Sequence, residues 1–232
     1  MLDRTNKDNI VTAAHLIPGW CYIHEMALLY ELFKHSKVHV EIGTFCGKCM
    51  FVAACAMENG SKIIGVDAFD FEWVEAADPH FRLPYIGKVV EGVHEDNSWA
   101  EDVLNVTVKG IRKLVPDTEV ALIKKPSIQA AIDCQNMRID SIFIDGNHSK
   151  EGVCNDIRSW YPMLKPGGLM VGHDYWTFHP GVIEAVEECF SSERGDYPGG
   201  FRVQPDTRVW IHQKPEIKPG TPAGIREYKH SR

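Results

Sequence analysis

Glu41, Asp67, Asp145, His148, His173 and Asp174 are ionisable residues that each end or closely follow a short apolar run. In a parallel α/β sheet such positions fall at the carboxyl edge of the strands, where ligands bind. Val38-His39-Val40-Glu41-Ile42 is one such run, and Gly43-Thr44-Phe45-Cys46-Gly47-Lys48-Cys49 follows it as a glycine-punctuated turn into a helix. Ile63-Ile64-Gly65-Val66-Asp67 is a second strand, its acid 20 residues after Gly47. This layout predicts a nucleotide-type pocket.

The turn does not suit a phosphate. A dinucleotide fingerprint needs a glycine where Phe45 stands, so that backbone can approach a pyrophosphate. A P-loop needs one more residue and a hydroxyl in place of Cys49. An adenosyl amino acid such as S-adenosylmethionine carries no phosphate and tolerates Phe45. The expected binding set is Glu41, Gly43, Thr44, Phe45, Gly47, Cys49, Asp67 and Ala68, with Ser127 and Asp145 completing it. Glu41 either organises the loop or meets the ligand's ammonium. Backbone N–H groups near Cys49 take its carboxylate at the helix start. Asp67 accepts the ribose hydroxyls, and Ser127 is either an adenine contact or the opening residue of a helix after Pro126.

The second chemical segment is Ile142-Phe143-Ile144-Asp145-Gly146-Asn147-His148-Ser149, and the next strand delivers His173-Asp174 to the same edge. Asp145, His173 and Asp174 offer carboxylate and imidazole ligands for one divalent cation, Mg²⁺ or another, which would lower the pKa of a substrate hydroxyl. Without a metal, His148 or His173 can act as general base near neutral pH. The blander alternatives are that His148 caps the following helix and that His173 fills a hydrogen-bond network.

The whole chain bounds these readings. Its 232 residues suit one α/β domain, and 44% hydrophobic content is ample for a core. A net charge of −7 without a Lys/Arg run argues against nucleic acid or an anionic membrane surface. The first 20 residues hold charges and no apolar segment, so no signal peptide is expected, and no run approaches a bilayer span. Seven cysteines suit reduced thiols and a cytoplasmic location. Cys46 and Cys49 form a C-x-x-C that lacks a second pair for zinc. Oligomeric state is not legible, and a homo-oligomer stays open.

Strands are expected at about 37–42, 62–67, 119–124, 139–144 and 169–172. Helices are expected at 22–35, 47–57, 98–115, 149–164 and 180–190, the fourth kinked or ended by Pro162. Ile23, Met26, Tyr30 and Phe33 should form the buried face of the first of these helices. Residues 201–204 and 207–213 read as a terminal hairpin. Residues 68–97, rich in aromatics and acids, read as an insertion or lid within a single domain spanning 1–213, and 214–232 as a loose tail. Phe69, Phe71, Trp73, Phe81 and Tyr85 would stack on an acceptor or pack the lid itself. Alternation of strands with helices implies a Rossmann-like αβα sandwich around a mostly parallel sheet.

Val40-Glu41-Ile42-Gly43-Thr44-Phe45-Cys46-Gly47 resembles the first motif of catechol and caffeoyl-CoA O-methyltransferases. Asp145-Gly146-Asn147-His148-Ser149, Lys165-Pro166-Gly167-Gly168, His173-Asp174-Tyr175, His179-Pro180-Gly181-Val182 and Val209-Trp210-Ile211 extend the resemblance to methyltransferase family 24, over roughly residues 18–213. It implies a seven-stranded sheet with the last strand antiparallel. It also implies S-adenosylmethionine as methyl donor, a small-molecule hydroxyl acceptor such as a sugar or phenol, and cation ligands at Asp145, His173 and Asp174. The chain departs from the family pattern at Asn147, which replaces an aspartate, and at Cys49, which replaces a serine; it departs from the metal-dependent catechol type, which has aspartate-asparagine, at His173-Asp174. Two other readings stand beside it: an NAD(P)-dependent oxidoreductase and a non-catalytic S-adenosylmethionine-binding module.

Overall fold

A computed structural model describes residues 3–4, 6–69, 98–191 and 195–216. Most of the expected insertion, with Phe71, Trp73, Phe81 and Tyr85, and the tail from 217 lie outside the described residues. The elements run α1 (Lys7–His15), α2 (Ile23–Phe33), β1 (Val38–Ile42), α3 (Lys48–Ala56), β2 (Lys62–Val66), α4 (Ser98–Leu114) and β3 (Glu119–Ile123). They continue α5 (Ser127–Asp133), β4 (Ile139–Ile144), α6 (Lys150–Trp160), β5 (Leu164–Gly172), α7 (Pro180–Phe190), β6 (Arg202–Val203) and β7 (Trp210–Gln213).

The seven strands form one sheet in the order β3-β2-β1-β4-β5-β7-β6. β7 alone runs against the others, antiparallel to both β5 and β6. Strand alternation splits the core into two layers. Ile63, Val120, Phe143, Val171 and Ile211 pack with residues of α1 to α4 on one face. Val40, Ile42, Ile64, Ile142, Ile144, Met170 and Trp210 pack with residues of α5 to α7 on the other. The architecture is the expected Rossmann-like three-layer sandwich.

Four expectations need correction. Helix α1 is an addition to the expected set, α5 takes the helix reading offered for Ser127, and β5 begins at Leu164 rather than 169. It passes through Pro166-Gly167-Gly168 because a register irregularity between Ile139 and Ser141 on β4 absorbs the turn. The buried face of α2 is Glu25, Met26, Leu29 and Phe33, while Ile23 is 53% exposed. Ser149, not His148, caps α6: its hydroxyl accepts from the Gly152 N–H. Pro162 does end that helix, in a short 3-10 turn at Tyr161–Met163.

Register aligns the strand ends. Ile42 lies opposite both Val66 and Ile144, and Ile144 lies opposite Gly172. The ladder then continues one step outward: Gly43 N–H donates to Val66 O, Asp145 N–H to Ile42 O, and His173 N–H to Ile144 O. Gly43, Asp67, Asp145 and His173 therefore share one edge. Because β7 runs the opposite way, its beginning, not its end, meets that edge, which brings in Arg208. Gly43 is at φ +82°, and a Cβ there would lie 2.1 Å from the Asp145 carbonyl oxygen. G43A should therefore cost about 3 kcal/mol, from backbone strain and overpacking together. Urea unfolding measures this, and a variant as stable as the wild type would mean that the two turns are not held in this close approach.

Candidate active site

The turn after β1 is set by Asp67. Its Oδ2 accepts from the Phe45 N–H and its Oδ1 from the Phe69 N–H, each at 2.7 Å. Phe45 and Phe69 are both at positive φ, 48° and 53°, conformations that side chains other than glycine rarely adopt. Two charge-assisted bonds from one carboxylate hold them there. Burial raises the Asp67 pKa, and the two N–H groups oppose the rise. The Phe45 ring packs between Trp20 and Trp99, with centroids 5.3 and 5.5 Å away. Lys48 Nζ donates to the Gly19 carbonyl at 2.6 Å and ties the Trp20 segment to α3.

Glu41 is buried on β1, faces α3 and accepts from the Met50 N–H. Its Oε2 has no hydrogen-bond partner among the described residues. Burial, with the charge of Asp145, raises its pKa well above the carboxylate range. The Thr44 hydroxyl turns inward to the carbonyls of Glu41 and Val66. The Cys49 thiol is buried and hydrogen-bonded to the Cys21 thiol, and all seven cysteines are free. Ser127 opens α5, and its hydroxyl accepts from Trp160 Nε1 at 2.8 Å. Ala68 follows Asp67 and is half-buried.

The ends of β4 and β5 bring Asp145, His148, His173 and Asp174 together. His148 Nε2 lies 3.2 Å from Asp174 Oδ2 and 3.8 Å from Asp145 Oδ1. His173 Nδ1 lies 3.4 Å from Asp174 Oδ1 and 3.7 Å from Asp145 Oδ1. Asp174 itself is at φ 56°. Burial opposes charge on the His148 ring, but the Asp145 and Asp174 carboxylates outweigh it and raise its pKa.

Three residues outside the expected site set complete the cluster. Glu25, wholly buried on α2, accepts from the Tyr22 N–H at 2.9 Å, the Arg208 N–H at 3.0 Å and His173 Nε2 at 3.0 Å. Burial works against its charge, yet the His173 bond and charge and the two N–H groups hold its pKa at about 2. The Arg208 guanidinium is stacked between the rings of Tyr22 and Trp176, 4.7 and 4.4 Å from their centroids, and reaches Asp174 Oδ1 at 3.5 Å. His179, ahead of α7, packs on His148 with centroids 4.3 Å apart. The only sequence signal for Glu25 was its place three residues after Tyr22, where it closes a capping box. Arg208 gave none.

The donor set fits a divalent cation. One ligand atom each from Asp145, His173 and Asp174 lies within 4.8 Å of the others, and so do atoms of His148, Asp174 and His179. Two carboxylates and an imidazole are ordinary ligands for such ions.

The fold and this edge define the S-adenosylmethionine-dependent type of α/β protein, with its loop after the first strand and its acid after the second. The family described as a methyltransferase domain, methyltransferase family 24, matches residues 40–175, and the chain belongs to it. It is 26% identical over 193 residues to the uncharacterized protein R132 of Acanthamoeba polyphaga mimivirus, covering 78% of this chain and 73% of that one. Its fold is similar to an O-methyltransferase from Bacillus cereus solved with S-adenosylhomocysteine, at TM-score 0.55, 15% identity and 91% and 90% coverage of the two chains. It is also similar to the O-methyltransferase TomG from Streptomyces achromogenes, involved in tomaymycin synthesis and solved with S-adenosylmethionine, at TM-score 0.56, 12% identity and 92% coverage of each. Among the described residues no helix is long and apolar enough to cross a membrane.

Asp174→Asn removes one of the two charges that hold the His148 pKa up. The His148 midpoint should fall, as read by NMR titration of its ring protons, and an unmoved midpoint would mean that the Asp174 charge does not reach the ring.

Proposed function

We propose that the protein transfers a methyl group from S-adenosylmethionine to a hydroxyl of a small-molecule acceptor. The observation that carries this reading is Glu41 Oε2, a buried carboxyl oxygen without a hydrogen-bond partner among the described residues, set beside the Gly43–Gly47 turn. A buried acid of that kind costs free energy until a donor or a positive charge meets it. The ammonium of an adenosyl amino acid supplies both, and NAD(P) offers no such group to the floor of this turn. Asp67 is the ribose partner: each of its oxygens keeps a lone pair beyond the one given to Phe45 or Phe69.

The methyl group moves by in-line displacement from sulfonium to oxygen. The donor is already reactive, so positioning is the main task. The acceptor lies over the carboxyl edge, between Trp20 and the 175–178 loop. Trp20 is 41% and Phe178 75% exposed, and Trp176 stacks on Phe178 with centroids 4.5 Å apart. Such faces suit a ring or a sugar. His148 takes the hydroxyl proton, and Asp174 steadies the imidazolium that forms. A divalent cation, held by Asp145, His173 and Asp174, would lower the hydroxyl's own pKa.

Thermal shift with S-adenosylmethionine, S-adenosylhomocysteine, NAD and ATP, each with and without Mg²⁺, tests the reading. The two adenosyl amino acids should raise the melting temperature and NAD should not. Asp67→Ala should weaken S-adenosylmethionine roughly 10–100-fold, the worth of a charge-assisted hydrogen bond. Unchanged affinity by calorimetry would remove Asp67 from the ribose site.

Methyl transfer should also depend on pH. A His148 pKa raised above 6.5 leaves the ring protonated, and useless as a base, until the pH passes that raised value. The rate should therefore climb with pH through a midpoint above 6.5. H148A should remove that limb and cost roughly 10²–10⁴-fold in kcat. A variant retaining both rate and profile would exclude His148 as the base.

A further inference from the structure

Glu25 lies outside the reacting groups and comes from a helix on the far side of the sequence. Its partner is His173, 148 residues away. Both Glu25 oxygens already accept from backbone N–H groups, those of Tyr22 and Arg208, so the group meets His173 as a carboxylate acceptor. The 3.0 Å contact with His173 therefore places a proton on Nε2. That leaves Nδ1 as the nitrogen facing Asp145 and Asp174. Its distances to their oxygens, 3.7 and 3.4 Å, are too long for hydrogen bonds. They are close to the roughly 3–3.6 Å that separates two ligand atoms sharing one ion.

Both Glu25 and the His173 ring are completely enclosed, with side-chain exposures of 0% and 1%. Glu25 cannot swing away, because the N–H groups of Tyr22 and Arg208 hold both its oxygens. The opposite face of the same ring offers a rival site, since Cys21, Glu25 and His173 also lie within 4.8 Å of one another. Glu25 decides between the two faces by occupying Nε2.

From this geometry we infer that Glu25 is a positioning residue for a divalent cation. It fixes the tautomer of His173 so that Nδ1, with Asp145 and Asp174, presents a site for a first-row divalent ion. This is the arrangement in which a ligating imidazole gives its other N–H to a carboxylate. The imidazole among the ligands favours Mn²⁺, Fe²⁺, Co²⁺ or Zn²⁺ over Ca²⁺. The inference deepens the methyltransferase reading and rests on it only for the purpose of the ion.

Co²⁺ titration of the full chain, followed by calorimetry and visible absorption, tests it without any turnover assay. The wild type should bind one Co²⁺ without a sulfur-to-cobalt charge-transfer band. E25Q removes the negative charge and turns an amide N–H toward one of the groups that Glu25 serves. Co²⁺ affinity should fall 10–100-fold, while S-adenosylmethionine affinity stays within about twofold, because Glu25 is not in the cofactor's set. Equal Co²⁺ affinity in E25Q and wild type overturns the proposal, as does a thiolate band marking Cys21 as a ligand. Failure of the wild type to bind Co²⁺, with S-adenosylmethionine still bound, overturns this inference alone. Should E25Q not fold, ¹⁵N NMR of the Zn²⁺-loaded wild type decides. Zinc on Nδ1 with a proton on Nε2 supports the assignment, and zinc on Nε2 or a protonated Nδ1 refutes it.

Discussion

One buried carboxylate joins the parts of this site that are farthest apart in the chain. Glu25 accepts from the residue that caps α2, from the ring that follows β5 and from the backbone that leads into β7. Stripped of water, a carboxylate is tolerated only with its lone pairs filled, so the three donors and the acid specify one another. The consequence is geometric. The Tyr22 ring, the Arg208 guanidinium and the Trp176 ring form one stack, and Arg208 hands its charge to Asp174. The antiparallel course of β7 is what makes this reachable, since a seventh parallel strand would carry its start to the opposite edge.

The cofactor side depends on a second carboxylate used in a different way. Asp67 bonds two N–H groups of residues in left-handed conformations, Phe45 and Phe69. Each such residue costs of order 1–3 kcal/mol in a relaxed chain. A charge-assisted bond contributes about as much, roughly 1.5–3 kcal/mol. The turn is thus held by the same group that is proposed to grip the ribose, which ties loop order to ligand binding. It also explains why a phenylalanine can stand where dinucleotide folds keep glycine. The backbone bends as a glycine would, and the ring leaves the crevice to pack between Trp20 and Trp99.

Much of this was legible in the sequence because it lies at strand ends. Asp67, Asp145, His173 and Asp174 follow apolar runs, and the register of a parallel sheet puts such positions side by side. What was not legible has physical reasons. The apolar positions of α2 suggested a face through Ile23 and Tyr30, but the true face is rotated to admit Glu25, and the Tyr22 and Arg208 N–H groups with His173 make an acid acceptable there. Helix α1 buries just Ile10, Val11 and Ala14 among polar residues, too thin a stripe to read as a periodic pattern. In β5, Pro166-Gly167-Gly168 carries every local sign of a turn, yet the strand runs through it because β4 supplies the irregular register. The place of Ser127 after β3 allows either an adenine contact or the opening of a helix, and a strand-end position does not fix where a hydroxyl points. Here it points at Trp160.

The two histidines that follow the apolar strands β4 and β5 are made different by what stands behind them. His173 is enclosed and pinned at Nε2 by Glu25, so its chemistry is confined to one nitrogen. His148 is about a quarter exposed and meets the Asp145 and Asp174 carboxylates, with the His179 ring against its face. A fixed ring serves as a ligand or a spacer, whereas a ring that meets solvent can shed a proton after each turnover. Asp174 serves both, with Oδ1 toward His173 and Oδ2 toward His148. Its left-handed backbone is the strained element that turns one carboxylate to two neighbours. Placing the acid one residue later than in the aspartate-asparagine pattern of the catechol-type enzymes is therefore a change of partner as well as of ligand. It frees the preceding position for a histidine, whose other nitrogen meets Glu25 of α2.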